Sequence, residues 1–385
     1  MRLRSGLIAA VFVPAAILCL KFVPLPWLWI WLLLAALLTF FVWMERKHLR
    51  ERTRVICINL IPIFLFFAGA EWVFHRLDGS VATEQDAPYV RSDKLLGSTP
   101  IPGSRSHFRM SHHGEKIAEG VVTIDQAGNR VTPEPAAETG KPVVFYGCSF
   151  TFGLGISDHE TLPWQFAEAT GLRVFNLGLN GYGPQQFLAL LESGKFSERV
   201  QRQTPELVVY LALPCHLGRL NGEPSFCATS PRYVLQDGEF RRAGTFLPFD
   251  GVPILGICAR QALKSPIFCR VYSMLRRSSQ DDEERIANFR AAVLKMRDLV
   301  KRQLPDAHFV VLSYDSPTEV IQRSLAETDI EIIRCSELVE KPLEHADYHI
   351  PHDGHPTGAL WRDLLPGLLR ILDSSRFEPG AVSGQ

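Results

Sequence analysis

A chain of 385 residues, 46% hydrophobic and carrying 41 basic and 41 acidic side chains, is long enough for more than one structural unit. Its zero net charge hides an imbalance: the first 54 residues hold eight Lys/Arg and two acids, leaving 33 basic against 39 acidic residues downstream, a net of −6. A mildly acidic remainder argues against nucleic acid as the partner.

Three apolar runs open the chain. Ser5 to Leu20 and Phe22 to Met44 contain no charged residue, and Val55 to Ala70 ends at Glu71. The second run exceeds the roughly 20 residues that cross a bilayer. The other two hold 16 residues each and span if Lys21 and Glu71 set their charges among the headgroups. Trp27, Trp29, Trp31 and Trp43 gather towards the ends of the second run, where amphipathic rings favour the interface. Leu18 precedes Cys19 and no small-x-small pattern follows, so the first run reads as a retained anchor, not a cleaved signal. The cations from Arg46 to Arg54 mark a cytoplasmic loop, with Arg2 and Arg4 on the same side. Residues 1–76 are therefore expected to form about three transmembrane helices. That makes a multi-pass protein of the inner (cytoplasmic) membrane, with the bilayer as a partner and everything after about Phe74 outside. Six of the eight cysteines (Cys148, Cys215, Cys227, Cys258, Cys269 and Cys335) fall in that part. In an oxidising compartment the pairs nearest in sequence, Cys215 with Cys227 and Cys258 with Cys269, are the candidates for disulfides. Spacing does not fix their connectivity.

Residues 77–140 are polar and rich in Pro, Gly, Ser and His, and only Gly120 to Ile124 reads as a strand. The segment is expected to be a linker with a small β element. From Lys141 the pattern changes. Pro142 to Tyr146, Arg173 to Asn176, Glu206 to Leu213 and His308 to Tyr314 are short, almost uninterrupted apolar strands. Helical stretches lie between and after them: Leu162 to Ala169 behind a start at Ser157 to Glu160, Gln185 to Glu192, Glu283 to Gln303, and Ala359 to Leu372. Buried strands alternating with helices imply an α/β domain with a parallel sheet covered on both faces, over residues 141–375, before a flexible tail at 376–385. Such sheets carry their sites at the carboxyl ends of the strands, which directs attention to the loops after Tyr146, Asn176 and Leu213.

The first loop reads Gly147-Cys148-Ser149-Phe150-Thr151-Phe152-Gly153. A glycine directly after a buried strand lets the chain turn sharply and puts the Ser149 hydroxyl at the edge of the sheet, where a nucleophile must be. Thr151 stands at the second glycine position of the Gly-x-Ser-x-Gly elbow, so that elbow is absent. The second loop runs Asn176-Leu177-Gly178-Leu179-Asn180-Gly181, and the third Leu213-Pro214-Cys215-His216. Ahead of the last helix comes Asp347-Tyr348-His349-Ile350-Pro351-His352-Asp353-Gly354-His355-Pro356.

In this order the blocks resemble those of the SGNH (GDSL-like) hydrolase superfamily. Cys148 replaces the usual Asp of the first block. The resemblance implies a flavodoxin-like three-layer α/β/α sandwich. It further implies Ser149 as nucleophile, His355 as base and Asp353 as the orienting acid. The acid is one residue nearer the histidine than in the usual Asp-x-x-His-Pro, a spacing similar to that of membrane-linked polysaccharide O-acetyltransferases of the superfamily. The usual spacing would put His352 in the acid's place, where an imidazole cannot stabilise an imidazolium. Gly181 matches the glycine whose N–H serves the oxyanion hole. The third block departs from the family, with Cys215 where Asn is expected and His216 where Asp is expected. Either His216 takes over as donor or the hole relies on the Ser149 and Gly181 amides.

The implied function is an extracytoplasmic serine esterase that cleaves carbohydrate or lipid O-acyl esters through an acyl-enzyme, without cofactor. The alternatives are an O-acyltransferase that modifies a surface polysaccharide with a membrane acyl-donor partner, and a non-catalytic scaffold that binds glycans. His345, Asp347, His349, His352, Asp353 and His355 also form a dense potential metal cluster, but their spacings match no zinc signature, and no metal is assigned.

Overall fold

The computed structural model describes residues 27–44, 50–77, 81–136, 140–247, 252–279, 281–315 and 318–372. Helix α1 is Trp27–Met44 and α2 is Glu51–Leu77. Strands β1 (Ala82–Gln85), β2 (Val90–Asp93), β3 (Gly97–Pro100), β4 (Arg105–His112) and β5 (Glu115–Thr123) follow. Next come β6 (Val143–Tyr146), the one-turn helix α3 (Ser149–Phe152), α4 (Leu162–Thr170), β7 (Val174–Asn176), α5 (Pro184–Glu192), α6 (Lys195–Arg199), β8 (Leu207–Ala212) and α7 (Cys215–Leu220). The chain continues through β9 (Pro231–Gln236), β10 (Glu239–Thr245), α8 (Pro253–Ala262), α9 (Pro266–Ser278), α10 (Asp282–Gln303), β11 (His308–Ser313), α11 (Val320–Leu325), β12 (Glu331–Arg334) and α12 (Gly358–Ile371).

The chain divides into two units, residues 1–79 with 247–275, and residues 80–246 with 276–385. In the first, Trp31 of α1 stacks on Phe64 and Phe67 of α2 at 6.0 and 5.0 Å and tilts against Phe268 at 6.3 Å. Glu71 is buried and accepts a hydrogen bond from Ser265, so the one carboxylate at this depth of α2 is not left unsatisfied. The sequence reading placed residues 247–275 inside the α/β domain. They group instead with α1 and α2, where Phe268 meets Trp31 and Ser265 meets Glu71. The expected three spans are also revised. The run Ser5 to Leu20 lies outside the described residues. Helix α1 is described over 18 residues, and the start of the same apolar run, residues 22–26, lies outside the described residues. Among the described residues, only Glu51–Phe74, 24 residues with a mean hydropathy of 1.9, is long and apolar enough to cross a membrane.

In the second unit β6, β7, β8, β11 and β12 form one parallel sheet in the order β12-β11-β8-β6-β7. Period-two alternation decides its layers. Val144, Tyr146, Val208, Tyr210, Phe309 and Val311 face one core, shared with α5 and α10 through Phe187, Leu191, Phe289 and Met296. Val143, Phe145, Val209, Leu211, Val310 and Leu312 face another, shared with α4 and α12 through Phe166, Trp361 and Leu364. Both faces are therefore covered, as the uninterrupted apolar strands predict, and the result is a three-layer α/β/α sandwich. After β6 the chain passes to β7 on one side and then to β8 on the other. The gap between β6 and β8 is the switch point, where open α/β sheets carry their sites.

Residues 77–140 build more than the single predicted strand. β4 pairs antiparallel with β5 and with β1, and β2 pairs with β3. Phe108, Met110, Val122 and Ile124 from this segment join the core of the sandwich. The segment is part of the second unit. Its strands alternate polar and apolar residues because one face is solvated, and that dilutes the apolar signal. All seven described cysteines are free thiols. Cys227 is buried while Cys215 is exposed, and the Cys269 thiol donates to the Leu263 carbonyl at 2.8 Å.

Candidate active site

The loop after β6 begins at Gly147, where a Cβ would collide with Thr151 Oγ1 and approach the Leu211 carbonyl to 3.1 Å. Only glycine lets β6 turn into α3 this close to β8. Ser149 is the first residue of α3 and is 4% exposed. The turn is braced from β7: Asn176 Nδ2 donates to the Thr151 carbonyl at 3.0 Å, and Asn176 Oδ1 accepts the Gly178 N–H at 3.1 Å. Asn176 is fully buried and thereby fixes the loops after β6 and β7 to each other.

Ser149 Oγ lies 2.9 Å from His355 Nε2, although 206 residues separate them. His355 Nδ1 lies 2.5 Å from Asp353 Oδ2, which also accepts the His355 backbone N–H at 3.3 Å. Burial pushes the Asp353 carboxyl upward, but the hydrogen bonds and charge of His355 outweigh it and hold the group below its ordinary value. An ionised Asp353 fixes the proton on Nδ1 and leaves the Nε2 lone pair to accept the Ser149 hydroxyl proton. The spacing of two residues works because of the loop itself. Gly354 has φ +82°, a conformation open to glycine. The loop is closed by Gly354 N–H to Ile350 O at 3.0 Å and Ile350 N–H to His355 O at 2.8 Å. Phe150 lies edge-on to Tyr314 at 5.1 Å and against the His355 ring at 5.4 Å, which covers one side of a partly exposed imidazole.

Of the other residues of the suspected metal cluster, His345 and Asp347 meet each other at 3.5 Å and the rest have partners outside it. His349 pairs through its two ring nitrogens with the carbonyls of Gly354 and Leu343. Asp347 pairs with Lys341 at 2.9 Å, and the His352 ring stacks on His112 at 4.0 Å.

Gly181 lies in the loop after β7, with Phe226 against it: a Cβ there would stand 3.2 Å from the ring. Among the described residues neither the Ser149 nor the Gly181 N–H donates a hydrogen bond. Both are free to bind an anion. His216 is fully buried, stacked on Tyr210, with Nδ1 2.7 Å from Tyr210 Oη and accepting the Leu213 N–H at 3.3 Å. Burial holds its pKa well below the ordinary histidine value, so the ring is neutral with its proton on Nε2. That Nε2 has no hydrogen-bond partner. No bond joins His216 to Ser149, His355 or Asp353 among the described residues.

One residue of the site carried no signal in the sequence. Arg130, buried to 1% exposure, donates to the carbonyls of Phe152, Gly153 and Ile156 at 2.7, 2.5 and 2.7 Å. It also reaches the Val121 carbonyl at 3.2 Å and Asp158 at 2.9 Å. Its guanidinium ties the exit of the serine turn to β5. The partners are main-chain carbonyls of an irregular loop, which no residue pattern announces.

No protein-family profile and no curated protein sequence matches the chain. Among solved structures, the chain is similar to a lipolytic protein of the G-D-S-L family from Desulfitobacterium hafniense, with 13% identity and a TM-score of 0.35 over 60% of this chain and 99% of that one. It is similar to an acetyl xylan esterase from the rumen bacterium Butyrivibrio proteoclasticus, with 11% identity and a TM-score of 0.37 over 77% and 83%. A catalytic mutant of an acetylxylan esterase from Geobacillus stearothermophilus matches with 15% identity and a TM-score of 0.32 over 61% and 94%. The chain's own sheet order, with the serine and glycine loops at the carboxyl ends of β6 and β7, is that of a flavodoxin-like three-layer α/β/α sandwich.

Proposed function

We propose that the chain is a serine esterase that cleaves O-acyl esters through an acyl-enzyme. The observation that carries this is the continuous hydrogen-bonded line from Ser149 Oγ through His355 to Asp353, beside two amides with no internal acceptor. Ser149 Oγ attacks the ester carbonyl and its proton passes to His355 Nε2. Asp353 stabilises the imidazolium and keeps the ring's orientation. The carbonyl oxygen becomes an oxyanion held by the Ser149 and Gly181 N–H groups, with the unpartnered His216 Nε2–H as the third candidate donor. Collapse returns the proton from His355 to the leaving alcohol and leaves an acyl group on Ser149. Water, deprotonated by His355, then releases the acid.

Helix α2 anchors the chain in the bilayer, and the cations from Arg46 to Arg54 keep their end of it in the cytoplasm. The esterase unit then lies outside, facing acylated glycans or lipids. A glycan hydroxyl in place of water at the second step would make the protein an acyltransferase. Turnover of short-chain nitrophenyl esters by the full chain in detergent tests the reading. Ser149→Ala should lower kcat by at least about 10³ with the fold retained. Equal turnover in that variant would remove Ser149 from the mechanism.

A further inference from the structure

We propose that Arg219 and Phe226 form a subsite that selects esters bearing a carboxylate, so that the acyl group is taken from, or is itself, an acidic molecule. The proposal rests on the esterase reading and adds a substrate class to it. Arg219 is carried by α7, one turn beyond Cys215. Its Nη1 donates to the Tyr182 carbonyl at 2.9 Å, next in the chain to Gly181. Its guanidinium lies over the Phe226 ring at 5.7 Å, and that ring packs against Gly181. The Cys148 thiol, adjacent in sequence to the candidate nucleophile, is close enough to Arg219 to act on its charge. The guanidinium therefore borders both the serine loop and the candidate oxyanion loop.

Two features bear on what this arginine can bind. No carboxylate pairs with it among the described residues, as is also true of Arg199 and Arg290, but Arg219 alone of the three borders the serine and glycine loops. Phe226 is 60% exposed, an unusual place for a large ring unless something covers it. A guanidinium has five N–H donors in a planar fork suited to a carboxylate, and Arg219 places hydrogen bonds on the Tyr182 carbonyl and the Cys148 thiol, which leaves further donors in the fork. An exposed aromatic face under that fork suits the apolar face of a sugar ring or an acyl chain. The carboxylate can stand on the alcohol, as in a uronic acid acetate, or on the acyl group, as in a succinyl half-ester. Both present the same chemistry to Arg219.

The test compares kcat/KM of the full chain on 4-nitrophenyl acetate and on mono-4-nitrophenyl succinate, and on the same O-acetyl ester of galacturonic acid and of galactose. The wild type should prefer one of the two acidic esters at least tenfold over its neutral partner, and the pair that shows it identifies which side bears the charge. Arg219→Met should lose about 10- to 100-fold more on that acidic ester than on the neutral one, with partial rescue in Arg219→Lys. Equal losses on both, or no preference in the wild type, would overturn the proposal. Phe226→Ala, at an exposed position, should weaken the acidic ester's KM even if Arg219→Met does not fold. Calorimetric titration of Ser149→Ala with galacturonate, succinate and galactose separates this proposal from the esterase reading, because it needs no turnover. Binding of an acid through Arg219 in a chain without esterase activity would keep the subsite and discard the esterase. Esterase activity with no acid binding would do the reverse.

Discussion

Asp353 and His355 are neighbours but one in the chain, and their side chains meet because Gly354 between them holds a positive φ. The carboxylate's depressed pKa follows from that contact, and it sets a pH dependence. Its folded value lies below the ordinary 3.8, so the pair's contribution to stability is complete above the unfolded value. It is lost as pH falls through the folded one. Urea unfolding should show a gap between wild type and Asp353→Asn that is constant above about pH 5 and closes below the ordinary carboxylate range. A gap unchanged at pH 3 would contradict the assignment. In kinetics, Asp353→Asn should lower kcat by up to about 10⁴, since an amide can hold the wrong tautomer. His352→Ala, which removes only a stack on His112, should be far milder; the reverse ranking would move the acid. If His216 Nε2 donates to the oxyanion, His216→Ala should cost about 10²–10³ in kcat with little change in KM. A mild effect leaves the hole to the two amides. At this scale the residue pattern offered Asp353 beside His355, and their side chains meet at 2.5 Å. It offered nothing for Arg130, which binds main-chain carbonyls and Asp158.

Elements with a strong apolar run were legible. β6, β7, β8 and β11 lie within a residue or two of their predicted bounds, as do α4, α5, α10 and α12. β12 was missed because four residues, Glu331–Arg334, are half solvated at the sheet's edge. The β9–β10 hairpin was missed although Asp237-Gly238, both at positive φ, is a strong two-residue turn signal. The β elements before Lys141 matter more, because they deliver Arg130 to the serine turn. Arg130→Met leaves the carbonyls of Phe152 and Ile156 without their donor and Asp158 with only the Thr123 N–H. The expected cost is about 3–5 kcal/mol in urea unfolding, with esterase activity lost in the fraction that remains folded. A cost under about 1 kcal/mol would mean that the turn holds itself.

For the whole molecule, the sequence expected three spans ahead of an α/β unit, and among the described residues one helix, Glu51–Phe74, is long and apolar enough to cross a membrane. Residues 247–275 group with α1 and α2, and local pattern says nothing about which distant helices a segment joins. Orientation is tested by reporter fusions: those after Arg50 should read as cytoplasmic and those after Gly140 as exported, and a cytoplasmic signal at the second site would reverse the topology. The central claim, that Ser149 is an activated nucleophile, is tested most directly by a fluorophosphonate probe on the full chain, with the adduct located by peptide mass spectrometry. A single adduct on Ser149, absent in Ser149→Ala and strongly slowed in His355→Ala, is the predicted result. No labelling of folded wild-type protein, or an adduct elsewhere, would contradict it.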